Sequence, residues 1–143
     1  MQRILSGIPR YGVDIRERDL PQETEQTRAL NFNKGCYIGQ EIVERIRSRG
    51  AVHRKFSGFV AESAVKSGSK IVASEKEVGE VTSAASVKLA NHGTHVALGY
   101  IRREVGAPGR EIQIGTIPAK VAAVPMFEKL FIKAERPLEQ KPA

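Results

Sequence analysis

Hydrophobic and polar positions in the second half of the chain follow the short pattern of β-strands. The segments that predict strands are 56–61, 69–73, 78–84, 96–102, 111–114 and 119–124. Glycine, proline and charged residues at 66–68, 75–77, 107–109 and 117–118 predict the turns between them. Because no helical pattern intervenes, these strands predict a small six-stranded antiparallel barrel, in which closure of the sheet removes exposed edges.

Residues 40–49 carry a helical pattern instead, with apolar side chains four positions apart at Ile42 and Ile46. Glu41 lies in the first turn and arginines lie near the end, which suits the helix dipole. Glu41 and Arg45 are also spaced for a favourable i,i+4 ion pair. This pattern predicts a short amphipathic helix.

The first thirty residues have little periodicity of their own. Residues 1–7 predict the last turn of a helix, because Gly7 followed by Pro9 is a common stop signal. Between 13 and 29 apolar residues are too few to form a core. We therefore expect this segment to pack against the second half of the chain or against residues outside it.

Composition narrows the class of protein. The chain has 143 residues, of which 41% are apolar, enough for one domain or a domain and a fragment. It contains no stretch that could cross a membrane and no apolar signal-peptide region near Met1, so we expect a cytoplasmic protein, or a mitochondrial matrix protein in a eukaryote. A single cysteine fits a reducing compartment.

Positive charge is concentrated near Gly50. The net charge is +7, and the cluster comprises Arg45, Arg47, Arg49, His53, Arg54 and Lys55. It suits a nucleic acid, a polyanionic cofactor tail or an acidic protein, and the alternative is a solvated helix face that runs into a linker. Aromatic residues do not alternate with these cations as single-strand binding requires, so direct nucleic-acid binding is not expected.

Cys36, the only cysteine, lies between Gly35 and Gly39 just before the predicted helix. Unpaired backbone N–H groups and the helix dipole favour a thiolate there, and the glycines permit tight turns around it. Tyr37 is placed to cover the thiol or to offer a hydroxyl. The alternative is a small residue buried in a tight turn, since free cysteines are often buried.

Residues 34–41, Lys-Gly-Cys-Tyr-Ile-Gly-Gln-Glu, resemble the signature of YgfZ-type folate-binding proteins, which are relatives of the glycine cleavage T-protein, an aminomethyltransferase. Arg3 and the blocks at 7–14, 20–23, 79–84 and 97–103 are similar to further family segments, so the resemblance covers about residues 3–127. T-proteins usually lack the cysteine and have arginine at the position of Gln40. Cys36 and Gln40 therefore favour the YgfZ-type branch.

The resemblance implies an α+β fold that is mostly β. Residues 1–50 correspond to the carboxyl-terminal remnant of a folate-binding domain, 51–131 to the C-terminal barrel, and 132–143 to a tail whose prolines and charges predict disorder. Family members are generally much longer, so the chain resembles their carboxyl-terminal part. The amino-terminal portion of the same protein is then an expected partner, and catalysis by this chain alone is not expected.

The function that the resemblance implies is a tetrahydrofolate-binding accessory factor that matures or protects iron–sulfur enzymes, including enzymes that modify tRNA. Its expected partners are folate and iron–sulfur proteins or assembly factors, with Cys36 as the functional thiol. A thiolate is a good iron ligand and redox group, but one cysteine cannot supply four ligands, so no stable cluster is expected in this chain alone. Two alternatives remain: a tetrahydrofolate-dependent aminomethyltransferase of the glycine cleavage system, and a non-catalytic structural barrel.

The resemblance also suggests which residues contact tetrahydrofolate: Arg3, Arg10, Tyr11, Lys34, Tyr37, Gln40 and Glu41. Guanidinium groups suit the folate carboxylates. No metal site is expected, because His92 and His95 flank a predicted turn at 93–94 without a cysteine or carboxylate to complete a ligand set. The phosphate-loop and dinucleotide fingerprints are absent from the sequence.

Overall fold

The computed structural model describes residues 1–50, 52–89 and 92–126. Its six strands are β1 Arg54–Ala61, β2 Lys70–Ala73, β3 Lys76–Leu89, β4 His92–Arg102, β5 Glu111–Ile114 and β6 Ile117–Ala122. The α-helices are α1 Gln2–Leu5 and α2 Gln40–Arg49, and short 3-10 helices lie at Pro21–Thr24, Thr27–Ala29 and Arg103–Val105. Neither α-helix within the described ranges has the length and apolar character needed to cross a membrane. The predicted tail at 132–143 lies outside the described residues.

The strands close into an antiparallel barrel in the order β1-β4-β3-β2-β5-β6. β6 pairs back onto β1 through Gly58↔Ala122, which completes the circle. The contact between β2 and β5 is the shortest, with only Ile71↔Ile114 and Val72↔Gln113 in register. The predicted mostly β fold with a six-stranded barrel is confirmed, and closure pairs the strand edges as expected.

Two predicted turns are in fact strand. Residues 92–95 belong to β4 and pair with β3, as in Ser86↔His95, so β3 and β4 form a longer hairpin than the sequence predicts. Ile117 and Pro118 begin β6, because the chain reverses two residues earlier, where Gly115 has a φ of 62° that suits glycine. In both places the residues that mark turns by composition are incorporated into a strand.

Two apolar cores lie on the two sides of the sheet. Alternate residues of β4 divide between them, with Ala97 and Ile101 inside the barrel and Leu98 and Tyr100 outside it. The outer core is covered by Ile4 and its neighbours in α1. Residues 1–30 therefore pack against the second half of this chain, which is one of the two expected arrangements.

A β-bulge in β3 interrupts the regular alternation of side chains. Val81 pairs with Gly99 and Ser83 pairs with Leu98, which leaves Thr82 as the extra residue. A Cβ at Gly99 would lie 2.2 Å from the carbonyl oxygen of Glu80, so only glycine permits this close approach. Because a bulge lets consecutive side chains face the same way, Thr82 and Ser83 both point outward to the first segment.

Candidate functional site

Cys36 is exposed. It lies in the signature loop, defined here as residues 34–39, immediately before α2. α2 spans Gln40–Arg49 as predicted, and it begins after Gly39, whose φ of 87° places it in the left-handed region. Exposure shows that the alternative of a cysteine buried within this chain is wrong.

The surroundings of the thiol combine a cation, an aromatic ring and apolar groups. Lys34 Nζ lies 4.5 Å from the ring centroid of Tyr37, which is a cation–π distance. Ile38 is fully exposed and Ile42 is 54% exposed, so two apolar side chains that follow Cys36 in the sequence are uncovered. An arrangement of this kind can present a nucleophilic or metal-binding sulfur to another molecule.

Polar residues of α2 are arranged differently from the prediction. Gln40 is half-buried and Glu41 is exposed. The ion pair on this helix joins Glu44 and Arg47 at 3.4 Å, whereas Glu41 and Arg45 do not pair in the described part of the chain. A hydrogen bond of 3.0 Å from Gln22 Nε2 to the carbonyl of Val43 connects α2 with the first segment.

A buried carboxylate joins the first segment to the barrel. Asp14 is fully buried and accepts hydrogen bonds from Arg3 Nη1 at 2.6 Å, the backbone N–H of Arg10 at 2.9 Å, Ser83 Oγ at 2.7 Å and Thr82 Oγ1. The β3 bulge makes this possible, because it directs both hydroxyls to the same side. We call Arg3, Asp14, Thr82 and Ser83 the Asp14 cluster.

The Asp14 cluster changes how its carboxylate titrates. Burial by itself raises the pKa of Asp14, because it penalises the charged form. Hydrogen bonds from Thr82, Ser83 and the Arg10 backbone, together with the charge of Arg3, act in the opposite direction and prevail. The pKa of Asp14 is therefore lowered, and the carboxylate is ionised in the folded protein at neutral pH.

A second set of ion pairs lies along the same interface. Arg54 Nη2 in β1 is 2.8 Å from Asp19 Oδ1 and 2.8 Å from Glu23 Oε2, and both acidic residues are buried. Arg16 Nε lies 3.6 Å from the other Asp19 oxygen. The hydrogen bond that Arg54 donates to Glu23 is the main cause of the raised pKa of Arg54. We call these four residues the Asp19 cluster.

The residues predicted to contact folate fall into separate groups. Arg3 donates hydrogen bonds to Asp14, to the carbonyl of Ile8 at 2.9 Å and to Ser83 at 3.0 Å. Its guanidinium therefore links the first segment to β3. Arg10 and Tyr11 are exposed and can still reach a ligand carboxylate. No hydrogen bond or ion pair within the described ranges joins them to the signature loop.

The basic cluster predicted near Gly50 is divided by the fold. Arg54 turns inward to the Asp19 cluster, and the guanidinium of Arg47 lies 4.6 Å from the ring centroid of Phe32. Lys55 is half-buried, and the side chain of Arg49 is outside the described set. Two of the six cations, Arg47 and Arg54, therefore contact groups within the chain.

The sequence did not indicate the acidic residues of these clusters. Asp14 and Ser83 are 69 positions apart, and neither belongs to a recognisable motif of paired carboxylates. The one local signal was Leu20-Pro21-Gln22-Glu23, in which Glu23 Oε2 accepts a hydrogen bond from the N–H of Leu20 at 3.2 Å. That pattern indicates a helix start but not the ion pair with Arg54.

The barrel and the segment before it define the class of protein. Residues 54–133 match the model of the glycine cleavage T-protein C-terminal barrel domain, which is more than half of the chain. The chain therefore belongs to the glycine cleavage T-protein superfamily. It corresponds to the carboxyl-terminal part of such proteins, and its relatives include a YgfZ protein.

Three relatives illustrate the range of the superfamily. An aminomethyltransferase of Streptomyces coelicolor is 31% identical over 89% of this chain and 36% of its own length. The tRNA-modifying protein YgfZ of Vibrio vulnificus is 32% identical over 62% of the chain and 28% of its own length. A mitochondrial iron–sulfur cluster assembly factor IBA57 homolog of Pyricularia oryzae is 41% identical over 38% of the chain and 15% of its own length.

A solved structure has the same fold. The aminomethyltransferase T of the glycine cleavage system from Bartonella henselae superposes with a TM-score of 0.72 at 22% identity, covering 87% of this chain and 36% of that one. The chain thus spans about a third of the length of the aminomethyltransferases it matches. Fold similarity at this identity does not transfer an activity.

Proposed function

We propose that this protein is a tetrahydrofolate-binding accessory factor in the assembly or repair of iron–sulfur clusters, with Cys36 as its functional thiol. The observation that carries the proposal is the exposure of Cys36 in the signature loop. Relatives named for iron–sulfur cluster assembly and for tRNA modification support it.

The chemistry of the signature loop supports a role in transfer. A cysteine thiolate binds iron and takes part in thiol–disulfide exchange, and both reactions require access from solution. One cysteine provides one ligand, so an iron–sulfur cluster would be a cargo shared with a partner protein. The exposed side chains of Ile38 and Ile42 offer that partner an apolar contact beside the thiol.

Tetrahydrofolate fits the described residues in part. The exposed Arg10 guanidinium suits the ligand's carboxylates, and the exposed Tyr11 ring offers a surface for stacking. Arg3 would act indirectly, because its bonds to Asp14 and to the carbonyl of Ile8 hold the segment that carries Arg10. In this proposal the ligand supplies one-carbon chemistry, and these residues bind and orient its tail.

The thiol role is tested by editing the chromosomal codon for Cys36 to serine or alanine in the organism that encodes the protein. Both variants are expected to lower the activity of iron–sulfur enzymes as far as deletion of the gene does, with unchanged protein abundance. The matched control is Ser48→Ala, since Ser48 is exposed on the adjacent helix and is bonded only to the carbonyl of Arg45 in the described part of the chain.

Two results would contradict the proposal at different points. Normal iron–sulfur enzyme activity after deletion of the gene would overturn the assembly role itself. A deficit after deletion together with normal iron–sulfur enzyme activity in both Cys36 variants would keep the assembly role and exclude the thiol. Calorimetric titration tests the proposed binding of tetrahydrofolate. An Arg10→Gln variant should bind tetrahydrofolate more weakly than the wild-type protein.

The second candidate function is a tetrahydrofolate-dependent aminomethyltransferase. Similarity to enzymes of that name over most of this chain favours it. Methylene transfer to tetrahydrofolate in the presence of the other glycine cleavage proteins, unaffected by Cys36→Ser, would support the enzyme. Absence of transfer by a folded preparation that includes the amino-terminal portion would favour the accessory factor.

A further inference from the structure

A small cavity lies on the outer face of the barrel beside the Asp19 cluster. Its volume is about 260 Å³, and it is lined by Arg16, Arg54, Lys70, Glu77, Val78, Gly79, Glu80, Tyr100 and Arg102. Pockets for drug-sized ligands usually begin near 300 Å³, so a whole folate does not fit. The cavity suits a group of a few heavy atoms.

Tyr100 places an unpaired hydroxyl at this cavity. The residue is only 2% exposed, and its hydroxyl has no hydrogen-bond partner among the described residues. Its ring is held edge-on to Phe56, with centroids 5.4 Å apart, and the Arg54 guanidinium lies 4.8 Å from its centroid. Burial is the largest cause of the raised pKa of Tyr100, so the hydroxyl keeps its proton and remains a donor.

The neighbouring cations add further donors. Arg16 Nε is buried and makes no hydrogen bond within the described part of the chain, since the Asp19 oxygen with which it is ion-paired lies 3.6 Å away. The bonds from Arg54 to Asp19 and Glu23 both leave from Nη2, although a guanidinium carries five N–H donors. Arg102 at the same cavity is 62% exposed, and its ion pair with Glu104 is long at 3.8 Å.

The carboxylates that line the cavity are already matched. Lys70 Nζ lies 3.0 Å from Glu77 and 3.7 Å from Glu80, and Arg16 Nη1 lies 3.4 Å from Glu80. Asp19 and Glu23 are engaged by Arg54. Tyr100 Oη and Arg16 Nε remain without a hydrogen-bond acceptor among the described residues, and buried donors are normally satisfied.

We propose that this cavity binds a small oxyanion, a phosphate or carboxylate group. Tyr100 Oη, Arg16 and Arg54 donate hydrogen bonds to it, and Arg102 contributes charge at the opening. A charged acceptor is the occupant that satisfies several donors at once, and hydrogen bonds to charged groups are the stronger kind. This site is independent of Cys36 and of the folate contacts proposed above.

The test is a ¹⁵N NMR titration of the whole chain at constant ionic strength, with inorganic phosphate in one arm and succinate in the other. Saturable shifts are expected at the amides of Gly79, Glu80 and Arg102. Tyr100→Phe should weaken binding about tenfold, because it removes one hydrogen bond to a charged group. Arg102→Gln should also weaken binding, whereas Arg110→Gln, which removes an equal charge outside the cavity, should not.

The phosphate and succinate arms distinguish a phosphoryl ligand from a carboxylate ligand by their relative affinities, and saturable binding of either supports the proposal. No saturable shift in either arm would overturn it. Equal affinity of the wild-type and Tyr100→Phe proteins would also overturn it, as would equal losses in Arg102→Gln and Arg110→Gln. Urea unfolding without anion is a second measurement, since a clear loss of stability in Tyr100→Phe would show that the hydroxyl already has a partner.

Discussion

Residues 1–30 and residues 34–49 are neighbouring parts of one chain that differ in how deeply their polar and reactive groups are buried. The first segment is held by the Asp14 and Asp19 clusters, whose carboxylates are buried and ion-paired. The second contains the signature loop and α2, where Ile38 is fully exposed and Cys36 is accessible. Buried ion pairs fix the position of the first segment. In the second, exposure leaves the Cys36 thiol available for reaction.

The difference also separates two kinds of polar residue. Breaking a buried ion pair is costly because it leaves an uncompensated charge, so Asp14 and Asp19 specify where the first segment sits. Exposed ion pairs such as Glu44 and Arg47 contribute little. Substitutions in the first segment should therefore act on stability, and substitutions in the signature loop should act on function.

Asp14→Asn should have the largest effect on this contrast. The amide removes the buried charge and puts an N–H₂ group among donors from Arg3, Ser83 and Thr82. We expect a loss of about 3 kcal/mol in the free energy of unfolding, typical of a broken buried pair. Urea unfolding followed by circular dichroism measures it.

The matched control is Glu17→Gln, which removes the same charge from an exposed position three residues away. Surface substitutions of this kind change stability by less than about 0.5 kcal/mol. Equal unfolding midpoints for the two variants would show that Asp14 does not hold the segment, and the comparison between the two regions would fail.

The features that depend on local pattern were predictable from the sequence. The strand segment 111–114 and helix α2 at Gln40–Arg49 match their predicted bounds, because turn residues and apolar periodicity act over a few positions. The length of the β3–β4 hairpin was underestimated, because Gly93 is typical of a turn by residue type. In the structure Gly93 pairs with Lys88 and the hairpin continues past it. The position of Cys36 before α2 was also predicted correctly.

The clusters were not predictable because they depend on distant contacts. The Asp14 cluster needs a bulge that places Thr82 and Ser83 on one side, and simple alternation in β3 would point them to opposite faces. The resemblance suggested Arg3 as a folate contact, since a guanidinium suits a carboxylate, and in the structure Arg3 binds the carboxylate of Asp14 in its own chain. Residue type indicated the chemistry of the contact, and the fold decided the partner.

Acidification should reduce the difference in the free energy of unfolding between the wild-type protein and Asp14→Asn. The reduction cannot exceed the difference at neutral pH. The pKa of Asp14 is lowered below its ordinary value of 3.8 in the folded state. Its contribution to stability is therefore complete above that value and is lost as the pH falls through the folded pKa. Unfolding free energies of both proteins between neutral pH and acid measure this difference, and a constant difference would contradict a titrating Asp14.

Ser83→Ala should have a smaller effect, because it removes one of the two hydroxyls that bind Asp14. We expect a loss of about 1 kcal/mol, the usual contribution of a single hydrogen bond. Ser86→Ala is the control on the same strand, since Ser86 is exposed and its hydroxyl contacts only His95 at 2.8 Å within the described ranges. A loss as large in Ser86→Ala would show that the strand, and not the cluster, is sensitive to the substitution.

Ile38→Ser should have the smallest effect on stability, within about 0.5 kcal/mol, because the side chain has no cover to lose. The same substitution at Ile4, which is 5% exposed in the outer core, should lower the free energy of unfolding by several kilocalories per mole. Urea unfolding of both variants compares the two regions directly. A clear loss in Ile38→Ser would mean that the signature loop is packed like the first segment. A neutral result would mean that folding does not require an isoleucine at position 38, as expected of a side chain that is not packed.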